Sequence, residues 1–457
     1  MKKFTKWLGI IAFVAIIGFG ITGCDNGGGT DNGSTDNNGN GNGNGSGQDN
    51  QAPDTQQPFR DITAMQLVSE IKIGWNLSNT LDATDYGDGW LNKNGSISSL
   101  ETAWGVPVTT KTMIDNIKAA GFNAIRIPVT WSKVAGSAPN YTIRSDWMAR
   151  VTEVVNYAAA NDMYILLNTH HDELHHGTAG TSGFFGVTNA TKNLAAFQKI
   201  WEQIAGNFKN YNEKLIFEGL NEPRTVGTAY EWSGGNAEER GVINKYYQTF
   251  VNTVRASGGN NDKRFLMLNT HAASGSAEAI NGLVIPNDSA SNKIIVSIHV
   301  YEPYTFSYNR GTAVSWDKNN TSHTSPITNP IDRVYDKFVS NGIPVIIGEF
   351  ASSKNNNIND RVEWTKFYVN YAMSKGLRCF VWDCGVDDIF WNFDRSANTW
   401  KYPQVRDALI QTANSSITEP QTPPTTSSLG NYFYGGASNE NLDQAVWALS
   451  PVLVTVT

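Results

Sequence analysis

Through residues 59–414, short runs of apolar and β-branched residues alternate with longer stretches whose apolar positions recur every three or four residues. The short runs predict strands at Lys72–Asn79, Asn123–Val129, Met163–His171 and Leu215–Glu222. They continue at Arg264–Thr270, Ile294–Tyr301, Pro344–Phe350 and Arg378–Asp383. Most are apolar almost throughout, as strands buried on both faces of a parallel sheet must be. The helical period appears between them. Met113, Ile114 and Ile117 are closed by Gly121; Val242, Tyr246, Phe250 and Val254 by Gly258-Gly259; Trp364, Phe367, Tyr368 and Tyr371 by Gly376. Glycine just past an apolar periodic segment is a helix stop. Eight strand–helix units in succession predict an α/β fold, a closed (β/α)8 TIM barrel rather than an open doubly wound sheet. No Gly-x-Gly-x-x-Gly turn follows the first predicted strand, so a dinucleotide fold has no support.

The flanks read differently. Residues 1–24 begin with Lys2, Lys3 and Lys6, turn apolar from Leu8 to Ile21, and end in Ile21-Thr22-Gly23-Cys24. Such a segment suits a signal peptide better than a membrane span. Small residues leading into Cys24 resemble a bacterial lipobox, which implies acylation of Cys24 and a secreted protein tethered at the cell surface or in the periplasm. An ordinary signal peptide with a chance cysteine is the alternative. Residues 25–58 are almost all Asn, Gly, Asp, Ser, Thr and Gln, a composition too poor in apolar surface to order itself, and predict a flexible linker. In 415–457, Pro420, Pro423 and Pro424 mark a second linker. The strand-like remainder is too short for a core of its own. It reads equally as the start of a truncated β-sandwich module or as a tail packed on the barrel.

Composition narrows the partners. A formal net charge of −7 argues against nucleic acid. Aromatics make up 11% of the chain, with 14 Trp; some belong to the core, and such abundance also suits stacking on sugar rings. Cys379 and Cys384 lie together at the last predicted strand with side chains on opposite faces, which predicts two free thiols. Nothing in the chain calls for a cofactor, and a monomer is expected.

Polar residues closing apolar strands are the informative ones, because in this fold the active groups stand at the C-terminal strand ends. Arg126, His170-His171-Asp172, Asn221-Glu222-Pro223, His299 with Tyr301, Glu349 and Trp382 close six of the eight predicted strands. A lone histidine or glutamate there is ordinarily a solvated or hydrogen-bonded residue. Six gathered at one mouth supply one another's partners. Glu222 and Glu349 fall on facing strands, and glycosidic cleavage needs two carboxyl groups: an acid for the leaving oxygen and a carboxylate at the anomeric carbon. A metal is the competing use of these ligand types, but no His-Glu-x-x-His or similar spacing occurs, so no metal is expected.

Gly74-Trp75-Asn76-Leu77, Arg126-Ile127-Pro128, His170-His171, Asn221-Glu222-Pro223, His299-Val300-Tyr301, Gly348-Glu349-Phe350 and Val381-Trp382-Asp383 resemble, in this order, glycoside hydrolase family 5. The stretch 74–83 with Glu101–Gly105 resembles its subfamily 4, which contains endoglucanases, xyloglucanases and lichenases. The resemblance implies a retaining endo-β-1,4-glucanase acting on β-glucan polysaccharide. It implies Glu222 as general acid/base, Glu349 as nucleophile, and Asn221 on the sugar 2-hydroxyl. Arg126 and Tyr301 would aim Glu349, His170 and His299 would orient hydroxyls and the acid, and Trp382 would be a stacking floor. Asn79, Trp104 and His171 join the implied substrate-binding set, with Trp90 and Trp131 as further subsite candidates. Ser78, where the subfamily has Gly, and Cys384, where Asn is common, depart from the pattern, and Cys384 stands where a hydroxyl contact would change. A β-mannanase or xylanase of the same family, and an inactive glycan-binding lipoprotein, remain alternatives. On this reading the strand-like tail would begin a carbohydrate-binding module.

Overall fold

The computed structural model describes residues 58–415, apart from 87, 173–186 and 188–189. The expected signal segment with Cys24, the linker before residue 58 and the tail after 415 lie outside the described residues. Eight parallel strands close a barrel in sequence order: β1 (Gly74–Asn76), β2 (Ala124–Ile127), β3 (Tyr164–Asn168), β4 (Leu215–Glu218), β5 (Leu266–Asn269), β6 (Ile294–His299), β7 (Val345–Phe350) and β8 (Arg378–Val381). β8 pairs back onto β1, with Gly74 opposite Phe380. A helix follows each strand, from Lys111–Ala119 after β1 to Pro403–Ser415 after β8. The three predicted stops stand in place, Gly121, Gly258 and Gly376 all at positive φ. Among the described residues no helix is long and apolar enough to cross a membrane.

Strand parity sorts the side chains into two cores. Trp75, Ile125, Ile165, Leu167, Phe217, Leu268, Val296, Ile347 and Cys379 face outward and join the helices in one cluster with Trp201, Phe250, Trp364 and Tyr368. Their neighbours Ala124, Leu166, Ile216, Met267, Ile295, Ile346 and Phe380 face inward and fill the barrel itself. α1 (Ala64–Glu70) precedes β1 and adds Leu67, Val68 and, just beyond it, Ile71 to this inner cluster. Seven residues are too few for a helix to persist alone. Thr63 and Gln66 form a capping box at its start, and burial of each large side chain contributes about 1.5–3 kcal/mol. The helix therefore stoppers the barrel floor. Ahead of it, Arg60 bonds Glu213 and Glu70, and Asp61 receives Lys293 at 2.8 Å and Lys263 at 3.1 Å.

The strands are shorter than their apolar runs. β4 ends at Glu218, four residues before Glu222, and β8 ends at Val381. Cys384 is thus off the strand, in a separate cluster with Ala351, Ile389 and Phe390. Both thiols are free and buried, and burial pushes each up to about 12.

Candidate active site

One level above the apolar filling, the same inward parity turns polar: Asn76, Arg126, Asn168, Glu218, Asn269, Ser297 and His299, all buried. Arg126 organises this layer. Its Nε and Nη2 donate to the two oxygens of Glu218 at 2.7 and 2.9 Å, and Nη2 also reaches Asn221 Oδ1 at 2.7 Å. Nη1 donates to Glu349 Oε1 at 2.8 Å and to Asn76 Oδ1 at 3.1 Å. Five bonds match the five N–H groups of a guanidinium. Glu218 takes a further bond from Asn269 Nδ2 at 2.6 Å, so the buried carboxylate is compensated on both oxygens. Asn221 spends its oxygen on Arg126, which fixes the amide and leaves its NH2 as the end for a hydroxyl.

Glu349 lies within β7, and a register shift between β6 and β7 brings it opposite His299. Its second oxygen accepts from Tyr301 Oη at 2.7 Å. Burial, and then Glu349 itself, push the Tyr301 phenol well above its ordinary value, so it remains a donor. The neighbouring Gly348 leaves room for His299: a Cβ there would stand 3.0 Å from the ring nitrogen Nε2 and 2.9 Å from Ser297 Oγ.

Glu222 stands on the loop after β4. Its Oε1 bonds His299 Nδ1 at 2.8 Å, and its Oε2 accepts from Arg224 Nη1 at 3.1 Å. Burial pushes this carboxyl up, but the His299 bond, Arg224 and His171 outweigh it and hold it down at about 2. One oxygen of Glu222, one of Glu349 and a ring nitrogen of His299 lie within 4.8 Å of one another. That separation fits the ~5–5.5 Å spacing of retaining glycosidases and is well short of the ~6.5–9.5 Å of inverting ones.

The walls follow. His170 stacks on Trp382, with centroids 5.8 Å apart and planes at 11°, and its Nδ1 accepts from Asn168 at 3.1 Å. Nε2 then carries the proton and is a donor. Burial, His171 and Arg126 hold His170 far below its usual value, so the ring is neutral. His171 belongs to an outer aromatic group with Tyr86 and Trp104, its ring 5.1 and 5.5 Å from theirs. Trp90 is half exposed on the same loop as Tyr86. Asn79 commits one amide hydrogen to Cys384 O at 3.0 Å, tying the loops after β1 and β8 together.

Two expectations need correction. Trp131 is fully buried, its indole bonded to Asn168 O at 2.9 Å, and is core rather than a subsite. Cys384 Sγ turns to Val386 O at 3.3 Å and is buried, so it makes no contact a sugar hydroxyl would feel. Ser78 donates to Asp383 O, while Arg395 bonds both Ser78 O and Asp383 O, which makes the departure at 78 a loop clamp. Sequence reading missed Glu218 and Asn269, whose only signal is inward parity, and gave Asn76, although quoted within Gly74-Trp75-Asn76-Leu77, no role of its own. It also missed Arg224, which directly follows Asn-Glu-Pro.

Among the described residues, two donor sets, Glu222/His299/Glu349 and Asp82/His170/His171, are close enough to hold an ion. In the first, the carboxylates already accept from Arg126, Arg224 and Tyr301, donors that a cation would have to displace. In the second, His170 turns an N–H rather than a lone pair outward. Both donor sets suit sugar hydroxyls better than a metal.

Comparison with known proteins agrees with this geometry. Residues 88–388 match the model of the family described as Cellulase (glycosyl hydrolase family 5). The chain is 43% identical over 371 residues to the cellulase/esterase CelE of Acetivibrio thermocellus, covering 80% of this chain and 42% of that much longer protein. It is 40% identical over 395 residues to endoglucanase B of Clostridium cellulovorans, covering 85% of this chain and 83% of that one. Among solved structures, a GH5-4 broad specificity endoglucanase from Ruminococcus champanellensis with bound cellotriose superposes with a TM-score of 0.72. It shares 46% identity over 78% of this chain and all of that one.

Proposed function

Because the chain belongs to glycoside hydrolase family 5, we propose that it cuts β-1,4-glucan chains internally with retention, Glu349 being the nucleophile and Glu222 the acid/base. The observation that carries this reading is the pair of carboxyl groups with oxygens within 4.8 Å, each held by its own donors. Glu349 attacks the anomeric carbon while the Glu222 proton passes to the leaving oxygen, forming a glycosyl ester and a shortened glucan. A water then gives its proton to Glu222, its oxygen bonds the anomeric carbon, and Glu349 departs as carboxylate.

The open site holds Glu222 ionised at about 2. A glucan across the mouth removes water and strengthens the desolvation that already pushes this carboxyl up, and the Glu349 charge beside it opposes a second anion. Both favour the protonated acid the first step needs. Once Glu349 is an ester its charge is gone, and Glu222 falls again to serve as base. Arg126 and Tyr301 aim Glu349, Asn221 meets the 2-hydroxyl, and Trp382 with His170 forms the floor.

Proton NMR of fresh hydrolysate is expected to show the β anomer first; an initial α product would overturn the assignment. Glu349→Ala should be nearly inactive on all substrates. Glu222→Ala should lose far less on an aryl glycoside with a good leaving group, and azide should restore turnover as the β-glycosyl azide. Reducing-sugar release across cellulosic, xyloglucan, mixed-linkage, mannan and xylan substrates would rank the polysaccharides. No release from any of them would favour the inactive glycan-binding reading. We also propose, from Ile21-Thr22-Gly23-Cys24 and the polar stretch behind it, that Cys24 carries a lipid and the enzyme works at a bacterial cell surface or in the periplasm.

A further inference from the structure

We propose that Asn269, Ser297 and His299 hold one buried water behind the His299 ring, and that Ser297 acts through it as a positioning residue for Glu222. The proposal rests on the assignment of Glu222 and Glu349 above. Three side-chain atoms in the polar layer of the barrel are buried and have no partner among the described residues: Asn269 Oδ1, Ser297 Oγ and His299 Nε2. Buried polar groups are almost always satisfied, so three together call for a partner. They belong to neighbouring residues. Asn269 on β5 pairs in register with Ser297 on β6, and Ser297 and His299 share the inward face of β6 two residues apart. β7 supplies the room. Ile298 pairs with Ile347 and His299 with Glu349, so the register shift leaves Gly348 unopposed. A Cβ on Gly348 would stand 2.9 Å from Ser297 Oγ and 3.0 Å from His299 Nε2, so both atoms border the space this glycine leaves.

The bonding roles are fixed by the far ends of the same side chains. Asn269 Nδ2 gives its two hydrogens to Glu218 Oε1 and Leu220 O, both at 2.6 Å, so Oδ1 is an acceptor. His299 Nδ1 stands 2.8 Å from Glu222 Oε1, and only an N–H suits a carboxylate there. In the neutral ring Nε2 is then a second acceptor. Two acceptors and one hydroxyl match a single water, which accepts from Ser297 and gives its hydrogens to Asn269 and His299. Three bonds are the usual number for a buried water. The consequence reaches the chemistry. A hydrogen bond received at Nε2 keeps the ring proton on Nδ1, and that proton holds Glu222 Oε1 in place. With the proton on Nε2 instead, a nitrogen lone pair would face the carboxylate and turn it aside.

The test begins with nitrogen NMR of the full chain carrying isotope-labelled histidine rings. Wild-type His299 should show a protonated Nδ1 and a bare Nε2; a protonated Nε2 would overturn the proposal. A high-resolution crystal structure should place one water within about 3.2 Å of Ser297 Oγ, Asn269 Oδ1 and His299 Nε2. No water there would overturn it equally. Ser297→Ala removes the hydroxyl, which lets the water accept from Nε2 and the ring proton move there, so the Nε2 signal should shift toward its protonated value. In this variant kcat/KM should fall about tenfold for a cellobioside with a poor phenol leaving group. With a dinitrophenyl leaving group, which needs little protonation, it should hardly change. Equal loss on both substrates, or loss on neither, would overturn the role of Ser297. A fluorinated dinitrophenyl cellobioside that traps the glycosyl ester separates this proposal from the one beneath it and reports that the variant is folded. A wild type left unlabelled at Glu349 would refute the catalytic assignment, whereas labelling with an unmoved leaving-group dependence counts against Ser297 alone.

Discussion

Arg126 uses every donor it has, and this makes it irreplaceable by another cation. A lysine brings one ammonium with three donors at a single point, so it cannot span Glu218, Asn221 and Glu349 together. Arg126→Lys should therefore lower kcat by about 10²-fold or more through misplacement of Glu349 and Asn221. It should also destabilise the fold by about 3–5 kcal/mol, because Glu218 is left buried with half its partners. Steady-state kinetics and denaturant unfolding would check both, and unchanged unfolding would mean that Glu218 finds other partners. A second residue tests the burial argument by pH. Asp172 accepts from Trp131 N at 2.9 Å and Ser132 N at 2.6 Å, and burial pushes its carboxyl from 3.8 up to about 6. A raised carboxyl means the folded state binds the proton more tightly than the unfolded one. Its contribution to stability is present at low pH and is lost as pH rises from about 4 through about 6. Asn cannot ionise there, so the stability gap between wild type and Asp172→Asn should narrow across that window, as melting temperatures at pH 4 and pH 7 would show. A widening gap would mean the carboxylate is better compensated than its surroundings indicate.

At the scale of elements, a strand's neighbour decides what it tolerates. Gly74 on β1 pairs with Phe380 on β8, and a Cβ at Gly74 would fall 2.0 Å from the Phe380 ring inside the packed barrel. Gly74→Ala should cost about 1–3 kcal/mol of stability by overpacking, read from the denaturant midpoint, while leaving the catalytic groups above it in place. The eight strands were legible because burial on both faces makes each an unbroken apolar run, and the helix stops because glycine takes positive φ. Their ends were not. Asn-Glu-Pro continues the run of β4 in sequence but has left the ladder in space, so Glu222 read as a strand end although it sits on a loop. Glu349, inside β7, read correctly because the chain stays extended through Phe350. Glu218 was hidden for a related reason. Between Phe217 and Leu220 it looks like one polar residue in an apolar run, and only closure of the barrel turns its parity into an inward position beside Arg126. Trp131 misled in the opposite direction: an aromatic residue near a strand end serves core and cleft alike, and only its bond to Asn168 O separates the two.

At the scale of the whole molecule, the proposed anchor involves none of the residues assigned to catalysis. Cys24→Ala should move the protein from the membrane fraction to the soluble one with kcat on soluble glucan unchanged. Mass spectrometry of the wild type should find an acyl group at Cys24, and its absence would end the proposal. The stoppered floor bears on how such a protein can be handled. α1 seals the end of the barrel away from Glu222 and Glu349, and Arg60 and Asp61 strap the incoming chain to that same end. The closing helix Pro403–Ser415 runs back toward it, with Ile410 against Gly121, the residue that stops the helix before β2. Both borders of the barrel therefore open on the face remote from the chemistry. The molecule has a handle side and a working side, and a polymer strand, unable to thread a plugged cylinder, would meet Glu222 and Glu349 only by lying across the working side.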